Sequence, residues 1–267
     1  MISLLILAVL LLLFLIYLLL LGGRVGFADF SEFKKQPIAH RGLYGNGIPE
    51  NSLWAFKNAI EHGFGAELDV HLTKDGKLVV IHDSSLLRTA GSDVCVEDLT
   101  LTEIKQYNLE NTQEKIPEFS EVLNLFEGNY PLIVEIKSTE KSYAELCLKT
   151  AEMLRNHNVT YCIESFDPRC VRWFYKNRPN VIRGQLSTNF LKSKNMGFAK
   201  KFALSFLITN FLTKPDFVAF NFSWRRFLSF RLATGLLKIQ GVGWTIRTPD
   251  DIKTAQNENI IPIFEDR

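Results

Sequence analysis

Residues 66–83 read AELDVHLTKDGKLVVIHD and contain two short apolar runs on either side of a Thr-Lys-Asp-Gly turn. The runs at residues 66–70 and 78–82 are both typical of β-strands, yet only a few residues separate them. A crossover between parallel strands needs a dozen or more residues, whereas Asp-Gly is a strong hairpin signal. We therefore predict that residues 78–82 return antiparallel beside residues 66–70, as an extra arm of the sheet.

Short β-like runs alternate with helix-like stretches along the rest of the chain, which is typical of parallel βα units. The nine candidate strands are residues 37–40, 66–70, 78–82, 132–136, 160–166, 181–186, 217–221, 241–246 and 260–264. The helix candidates are residues 51–62, 143–157, 168–177 and 249–257. Without the hairpin arm eight strands remain, so the sequence predicts an α/β fold, a (β/α)8 TIM-type barrel, over residues 37–267.

The first segment, ISLLILAVLLLLFLIYLLLL at residues 2–21, carries no charged side chain. A helix of this length spans about 30 Å, the thickness of the hydrocarbon core of a bilayer. A cleaved signal peptide, the main alternative, normally has a basic start, a shorter apolar run and a small-residue cleavage site. We predict one N-terminal transmembrane helix, a single-pass anchor at residues 1–22, followed by a linker at residues 23–36.

The residues after this segment favour a catalytic domain that faces the cytoplasm. Arg24, Lys34 and Lys35 follow the apolar run, and basic residues tend to stay on the cytoplasmic side. The four cysteines have no CxxC spacing, so we expect reduced, mostly buried thiols. The net charge of +2, with 22% charged residues, lacks the concentrated basic excess of a nucleic-acid-binding protein. The oligomeric state is left open.

Five polar clusters fall at or just after predicted strand ends, where a (β/α)8 barrel places its active site. They are His40-Arg41-Gly42, Pro49-Glu50-Asn51-Ser52, Glu67-x-Asp69, His82-Asp83 and Glu135-x-Lys137. Side chains alternate along a strand, so Glu67 and Asp69 share one face, as do Glu135 and Lys137. We expect three carboxylates to converge from two strands.

These three carboxylates predict a metal site. Converging carboxylates repel one another and lose hydration unless a cation neutralises them. Because oxygen ligands suit hard cations, one divalent ion, Ca2+ or Mg2+, is the expected cofactor. The alternative is that the carboxylates are surface charges or ion-pair partners, but the apolar neighbours Ala66, Leu68 and Val70 favour a buried position.

His40 and His82 each follow an apolar run, so both are expected at the mouth of the barrel. Phosphodiester cleavage takes a proton from the nucleophile and gives one to the leaving oxygen, and imidazole does either near neutral pH. Arg41 and Lys137 are candidate contacts for phosphate oxygens. His71 shares the face of Asp69 and is either an additional ligand or a residue that points into solvent.

The order and spacing of these clusters resemble the glycerophosphodiester phosphodiesterase family. The resemblance rests on His-Arg-Gly at 40–42, Pro-Glu-Asn-Ser-x-x-Ala-Phe at 49–56 and Glu-Leu-Asp-Val-x-x-Thr-Lys-Asp-Gly-x-x-Val-Val-x-His-Asp at 67–83. Glu135-Ile-Lys137, Ser165-Phe166-Asp167, Trp244-Thr245 and residues 263–266 extend it less specifically. Ser52 stands where threonine is more usual and keeps the hydroxyl that caps a helix.

The resemblance implies a TIM-type barrel, dependence on a divalent metal, and hydrolysis of glycerophosphodiesters to a glycerol phosphate-type product and an alcohol. The attacking group is either water or the neighbouring hydroxyl of the substrate. By position, the resemblance implies acid/base catalysis by His40 and His82, metal binding by Glu67, Asp69 and Glu135, and substrate binding by Arg41, Lys137, Glu50 and Trp244. Glu50 is also a candidate for an additional metal contact.

Residues 169–238 are rich in lysine, arginine and phenylalanine. Basic side chains attract anionic lipid and phenylalanine inserts at the membrane interface, so this region is a candidate membrane-facing surface. The alternative is that the phenylalanines are ordinary core residues of the barrel helices. With an anchor also predicted, we expect an active site next to the membrane and a lysophospholipid-like substrate.

Two other functions fit parts of the sequence. A glycoside hydrolase also uses paired carboxylates in a barrel, but His40, His82, Arg41 and Lys137 suit an anionic phosphate better. A membrane-tethered phospholipid-binding barrel without turnover is the non-enzymatic alternative. The presence of both histidines argues against it.

Overall fold

The computed structural model describes residues 1–139, 142–194 and 196–266. Its single sheet contains β1 (Ile38–Ala39), β2 (Gly65–Leu72), β3 (Leu78–Val80), β4 (Leu132–Ile136), β5 (Tyr161–Ser165), β6 (Arg183–Ser187), β7 (Phe217–Asn221), β8 (Gln240–Ile246) and β9 (Ile260–Phe264). The strand order is β1-β9-β8-β7-β6-β5-β4-β2-β3, and β1 also pairs with β2. That pairing closes eight parallel strands into a barrel, which confirms the predicted fold class.

The ninth strand is the predicted hairpin arm. β3 pairs antiparallel with β2, with Val70 opposite Val80 and Leu72 opposite Leu78. Gly76 lies in the connecting turn with a φ of 73°, a conformation that glycine adopts at little cost. The arm therefore extends the sheet beside β2 without interrupting the closed barrel.

Helices cover the outside of the barrel. They are α1 (Ile2–Leu21), α2 (Ser31–Lys35), α3 (Leu53–Glu61), α4 (Leu87–Ala90), α5 (Leu101–Ile104), α6 (Phe119–Phe126), α7 (Tyr143–Arg155), α8 (Pro168–Asn177), α9 (Phe198–Ser205), α10 (Asn210–Thr213), α11 (Leu228–Arg231) and α12 (Pro249–Asn257). All four helix candidates are confirmed. Ser52 caps α3 by accepting a 3.0 Å hydrogen bond from the backbone N–H of Ala55, and proline occupies the first turn of α8 and α12.

The segment expected to be a linker packs against the barrel. α2 lies within it, and Phe33 of α2 is only 2% exposed in a cluster with Ile38 and Phe217. Phe217 is the first residue of β7, so α2 covers the amino-terminal ends of the strands. The sequence contained the signal for this contact, since Phe30 and Phe33 are spaced three residues apart and both reach the interior cluster.

α1 has two parts with different surroundings. Residues 1–16 are exposed, whereas the last turns approach the barrel and Leu21 is fully buried. Among the described residues, α1 is the one helix that is long and apolar enough to cross a membrane, with a mean hydropathy of 3.4. Its contacts with the barrel are made mainly with α10.

Candidate active site

Three carboxylates converge at the carboxyl ends of neighbouring strands. Asp69 on β2 lies directly opposite Glu135 on β4, and Glu67 lies two residues earlier on β2. One oxygen from each of the three side chains lies within 4.8 Å of the others, and all three residues are buried. The period-two alternation of the strands therefore produces the convergence that the sequence predicts.

Burial and mutual repulsion make it unfavourable for all three carboxylates of this cluster to be ionised together. Burial, followed by repulsion from Asp69 and Glu135, raises the pKa of Glu67 well above its ordinary value. Burial also raises the pKa of Glu135 to about 7. For Asp69, burial acts in the same direction but is outweighed by the positive charges of Lys137, His82 and Arg41, which lower its pKa.

The cluster fits a hard divalent cation. Its donor set consists of carboxylate oxygens, which Ca2+ and Mg2+ prefer. Oδ1 of Asp69 is buried and accepts no well-aligned hydrogen bond from the described residues, although Nζ of Lys137 is 3.1 Å away. An under-satisfied buried carboxylate oxygen among two other carboxylates is the arrangement that a bound cation completes.

Both candidate histidines are oriented by a carboxylate. Nδ1 of His40 lies 2.9 Å from Oε1 of Glu265, and Nδ1 of His82 lies 2.7 Å from Oδ1 of Asp83. Nε2 of His40 lies 3.8 Å from Oε2 of Glu67. Burial lowers the pKa of both imidazoles, and the bond to Glu265 opposes this shift at His40. Each ring is therefore held through one nitrogen, which leaves the other free for proton transfer.

The two histidines line a shared cavity of about 340 Å3. Arg41 and Lys137 hold the acidic residues around it. NH1 of Arg41 lies 2.9 Å from Glu50, and Nζ of Lys137 lies 3.0 Å from Glu135. The cavity thus combines imidazoles, carboxylates and cations, which is the set that an anionic ester requires.

The backbone of the His-Arg-Gly cluster explains its residue types. Arg41 has a φ of 56°, and this places its N–H 3.1 Å from Oε2 of Glu67. Gly42 has a φ of 78°, and a Cβ there would lie 2.8 Å from the carbonyl carbon of Ala55. A larger residue at position 42 would therefore push β1 away from α3 and displace His40.

The remaining substrate-binding candidates also lie at the cavity. Glu50 is 3% exposed and is held by Arg41 and by two bonds from Arg88. Trp244 packs edge-to-face on Phe166 with ring centroids 5.6 Å apart, and its buried Nε1–H has no acceptor among the described residues. The structure thus brings all nine predicted site residues to one end of the barrel.

Several residues of the site, Arg88 among them, were not assigned from the sequence. Nδ2 of Asn51 donates a 2.8 Å hydrogen bond to Asp69, whereas the sequence placed Asn51 in the Pro-Glu-Asn-Ser cluster without a role of its own. Glu164 lies opposite Glu135 on β5, fully buried, and burial raises its pKa well above the ordinary value. Glu265 follows β9 and holds His40. A charged residue inside an apolar predicted strand was the available signal for Glu164.

The side chain of His71 does not point into solvent, and it lies outside the cluster of Glu67, Asp69 and Glu135. It is 4% exposed, with Nδ1 3.0 Å from Glu97 and Nε2 3.2 Å from the backbone oxygen of His82. β2 extends to Leu72, two residues beyond its predicted end, and the segment that carries Glu97 covers it. His71 therefore supports the backbone of His82.

Comparisons with known proteins agree with this site. Residues 40–267 match the model of the glycerophosphoryl diester phosphodiesterase family. A glycerophosphodiester phosphodiesterase of Caldanaerobacter subterraneus is 38% identical over 159 residues, which are 56% of this chain and 65% of that protein. Lysophospholipase D GDPD1 of Homo sapiens is 32% identical over 139 residues, which are 47% of this chain and 43% of that protein.

The chain therefore spans somewhat less than two thirds of the Caldanaerobacter protein and under half of the human one. Among solved structures, a glycerophosphodiester phosphodiesterase of Thermotoga maritima superposes with a TM-score of 0.66 at 26% identity, over 85% of this chain and 92% of that one. The family match covers both histidines, all three clustered carboxylates and the barrel from the residue that follows β1 onward. On this basis the chain belongs to the glycerophosphoryl diester phosphodiesterase family.

Proposed function

We propose that this protein is a metal-dependent hydrolase that cleaves glycerophosphodiesters, including lysophospholipids, to a glycerol phosphate-type product and an alcohol. One observation carries the proposal. His40 and His82, each held through Nδ1 by a carboxylate, line the same cavity as Glu67 and Glu135. An oriented imidazole pair beside a carboxylate cluster is suited to moving protons to and from a phosphate ester.

Glu67, Asp69 and Glu135 would hold the divalent cation, Ca2+ or Mg2+. When bound, the cation offsets their charge and polarises a phosphoryl oxygen. Asn51 fixes the orientation of Asp69 through its amide, and Lys137 lies against both Asp69 and Glu135. These contacts hold the carboxylates in place and reduce the reorganisation that substrate binding requires.

The remaining steps belong to the side chains of the chain itself. Arg41 and Lys137 bind phosphate oxygens and set the direction of attack. One histidine accepts the proton of the attacking hydroxyl and the other donates a proton to the departing alcohol oxygen. The same two transfers serve attack by water and attack by the neighbouring hydroxyl of the glycerol unit, which would pass through a cyclic phosphate.

The protein is also proposed to be tethered to a membrane by α1, with the barrel in the cytoplasm. The support is the length and apolarity of α1 together with the exposure of residues 1–16. Arg24, which follows the helix, supports the orientation through the positive-inside rule. An enzyme of this family that is held at the membrane has access to diesters that still carry an acyl chain and therefore reside in the bilayer.

A substrate panel tests the proposal. Purified protein is incubated with glycerophosphocholine, glycerophosphoethanolamine and lysophosphatidylcholine in Ca2+, Mg2+ or Mn2+, with and without chelator. We expect release of the alcohol, loss of activity in chelator and recovery on adding back metal. Absence of turnover under every condition would refute the hydrolase. Binding without turnover, unchanged in His82→Ala, would favour the phospholipid-binding module instead.

A further inference from the structure

A second cavity adjoins the catalytic one and differs from it in character. It has a volume of about 660 Å3, within the range of small-molecule sites. Glu135 and Phe166 line both cavities. Most of its lining surface is apolar and comes from the start of α8, the loop after β6 and α9, namely Pro168, Phe190, Met196, Ala203 and Leu204. Polar and charged side chains, among them Lys137, Asp167 and Arg169, line the rest. We refer to this cavity as the apolar groove.

The contacts of α1 show on which side of the barrel its exposed part lies. Arg24 forms an ion pair with Asp216, 2.6 Å apart, and Asp216 immediately precedes β7 at the amino ends of the strands. The hydroxyl of Tyr17 donates to the backbone oxygen of Phe206 at the end of α9. From Arg24 back to Tyr17, the chain thus moves away from the amino ends of the strands.

Two hydrogen bonds next to Phe206 show its position along the barrel axis. Oγ of Ser187, the last residue of β6, donates to the backbone oxygen of Leu204 at 2.7 Å. The backbone N–H of Phe190 donates to Oγ of Ser205 at 2.9 Å. The end of α9 therefore lies level with the carboxyl ends of the strands, and α1 continues past Tyr17 on the side of the catalytic mouth.

The contact between Tyr17 and Phe206 shows which part of the barrel lies nearest to the exposed part of α1. Tyr17 directly follows the exposed residues 1–16. If α1 spans the bilayer, the edge of the barrel beside Tyr17 therefore lies at the membrane interface. The element at this edge is α9.

α9 carries the side chains that such a position requires. Phe198 and Phe202 are 76% and 41% exposed, and their rings stack with centroids 6.2 Å apart. Phe202 contacts Phe206, which in turn contacts Tyr17 of α1. A row of four aromatic rings thus leads from the anchor along the outer face of α9, while Ala203 and Leu204 on its other face line the apolar groove.

We propose that the apolar groove is an acyl-chain site, which takes the chain of a single-chain glycerophospholipid directly from the bilayer while the phosphodiester lies at the catalytic cluster. This inference rests on the hydrolase and anchor proposed above. The shared residues Glu135 and Phe166 connect the groove to the catalytic cavity, and the direction of α1 places α9, which lines the groove, at the lipid surface. Lys200, at the groove lining, is positioned to meet lipid phosphate.

Chain-length kinetics test the site in full-length protein held in nanodiscs. The substrates are glycerophosphocholine and its monomeric hexanoyl and decanoyl lysophosphatidylcholine counterparts. Each buried methylene is worth up to about a fourfold change in affinity, so we expect kcat/KM to rise at least about tenfold from hexanoyl to decanoyl. Ala203→Trp fills the groove and should abolish this rise with little change for glycerophosphocholine. Ala144→Trp, an exposed alanine on α7 outside the groove, is the matched control and should retain it.

A rise that persists in Ala203→Trp, or no rise in the parent protein, would overturn the acyl-chain site while leaving the hydrolase intact. If none of these substrates is hydrolysed, the proposed function has failed and the groove is judged by photocrosslinking. A lysophosphatidylcholine with a diazirine at the end of its chain should label peptides that contain Phe190 or Leu204 in the parent and not in Ala203→Trp. Labelling confined to α1 would overturn the site.

Discussion

Glu265 holds His40 in the barrel mouth, with Oε1 of the carboxylate 2.9 Å from Nδ1 of the imidazole. The two residues are 225 positions apart in sequence. They meet because β9 closes the barrel against β1, where Ala39 lies opposite Phe264. The carboxylate is itself held by Arg247, so His40 belongs to a chain of charged contacts that extends to the rim.

Removal of the Glu265 charge should shift the pH profile. Burial lowers the pKa of His40 and the bond to Glu265 raises it, so Glu265→Gln should lower the pKa further. The limb of the kcat/KM profile that reports His40 should therefore move to lower pH, whether the residue acts as acid or as base. Glu258→Gln, an exposed carboxylate near Arg225, is the control. An unchanged profile in Glu265→Gln would show that the contact does not tune His40.

Metal binding should stabilise the fold without any substrate. A ligand that binds only the folded state at a hundredfold excess over its Kd adds about 2.7 kcal/mol. We expect Ca2+ or Mg2+ to raise the Tm of the parent protein and to lose most of this effect in Glu135→Gln. Glu121→Gln, which removes an ion pair with Lys105 outside the site, should respond like the parent. Equal Tm shifts in all three proteins would exclude the carboxylate cluster as the metal site.

Substitution of His71 should lower kcat, because His71 holds the backbone of His82 in position. Its Nε2 lies 3.2 Å from the backbone oxygen of His82, and its Nδ1 is fixed by Glu97. In His71→Phe, loss of this support should lower kcat for glycerophosphocholine on the order of ten- to hundredfold with a smaller effect on KM. His157→Phe is the matched control, since the imidazole of His157 bonds to the backbone oxygen of Met153 within α7. Comparable kcat values for both variants would argue against a positioning role.

The contact between Arg24 and Asp216 should contribute to stability, since the segment after α1 is part of the barrel. The side chain of Asp216 is fully buried and accepts two bonds from Arg24. Asp216→Ala leaves buried positive charge without its partner and should cost about 3–5 kcal/mol. Glu32→Ala breaks an exposed pair with Lys35 and should cost at most about 1 kcal/mol. Denaturant unfolding with equal midpoints for the two variants would contradict this packing.

The strands were predictable because each is a short apolar run between turn residues, and Asp75-Gly76 fixed the one antiparallel arm. The carboxylate cluster was predictable because alternation along β2 and β4 needs only local spacing. Glu265 and Asn51 were not assigned because their partners, His40 and Asp69, are set by barrel closure and by the loop after β1. The direction of α1 could not be predicted either, because it depends on the hydrogen bond between Tyr17 and Phe206, which are far apart in sequence, rather than on any local pattern.

The rate of glycerophosphocholine hydrolysis by His40→Ala and His82→Ala, at saturating metal, tests the central claim most directly. If these residues form the acid/base pair, each substitution should lower kcat/KM by about 10²–10⁴-fold while the Tm response to metal is retained. Rates comparable to that of the parent protein in either variant would contradict the assignment.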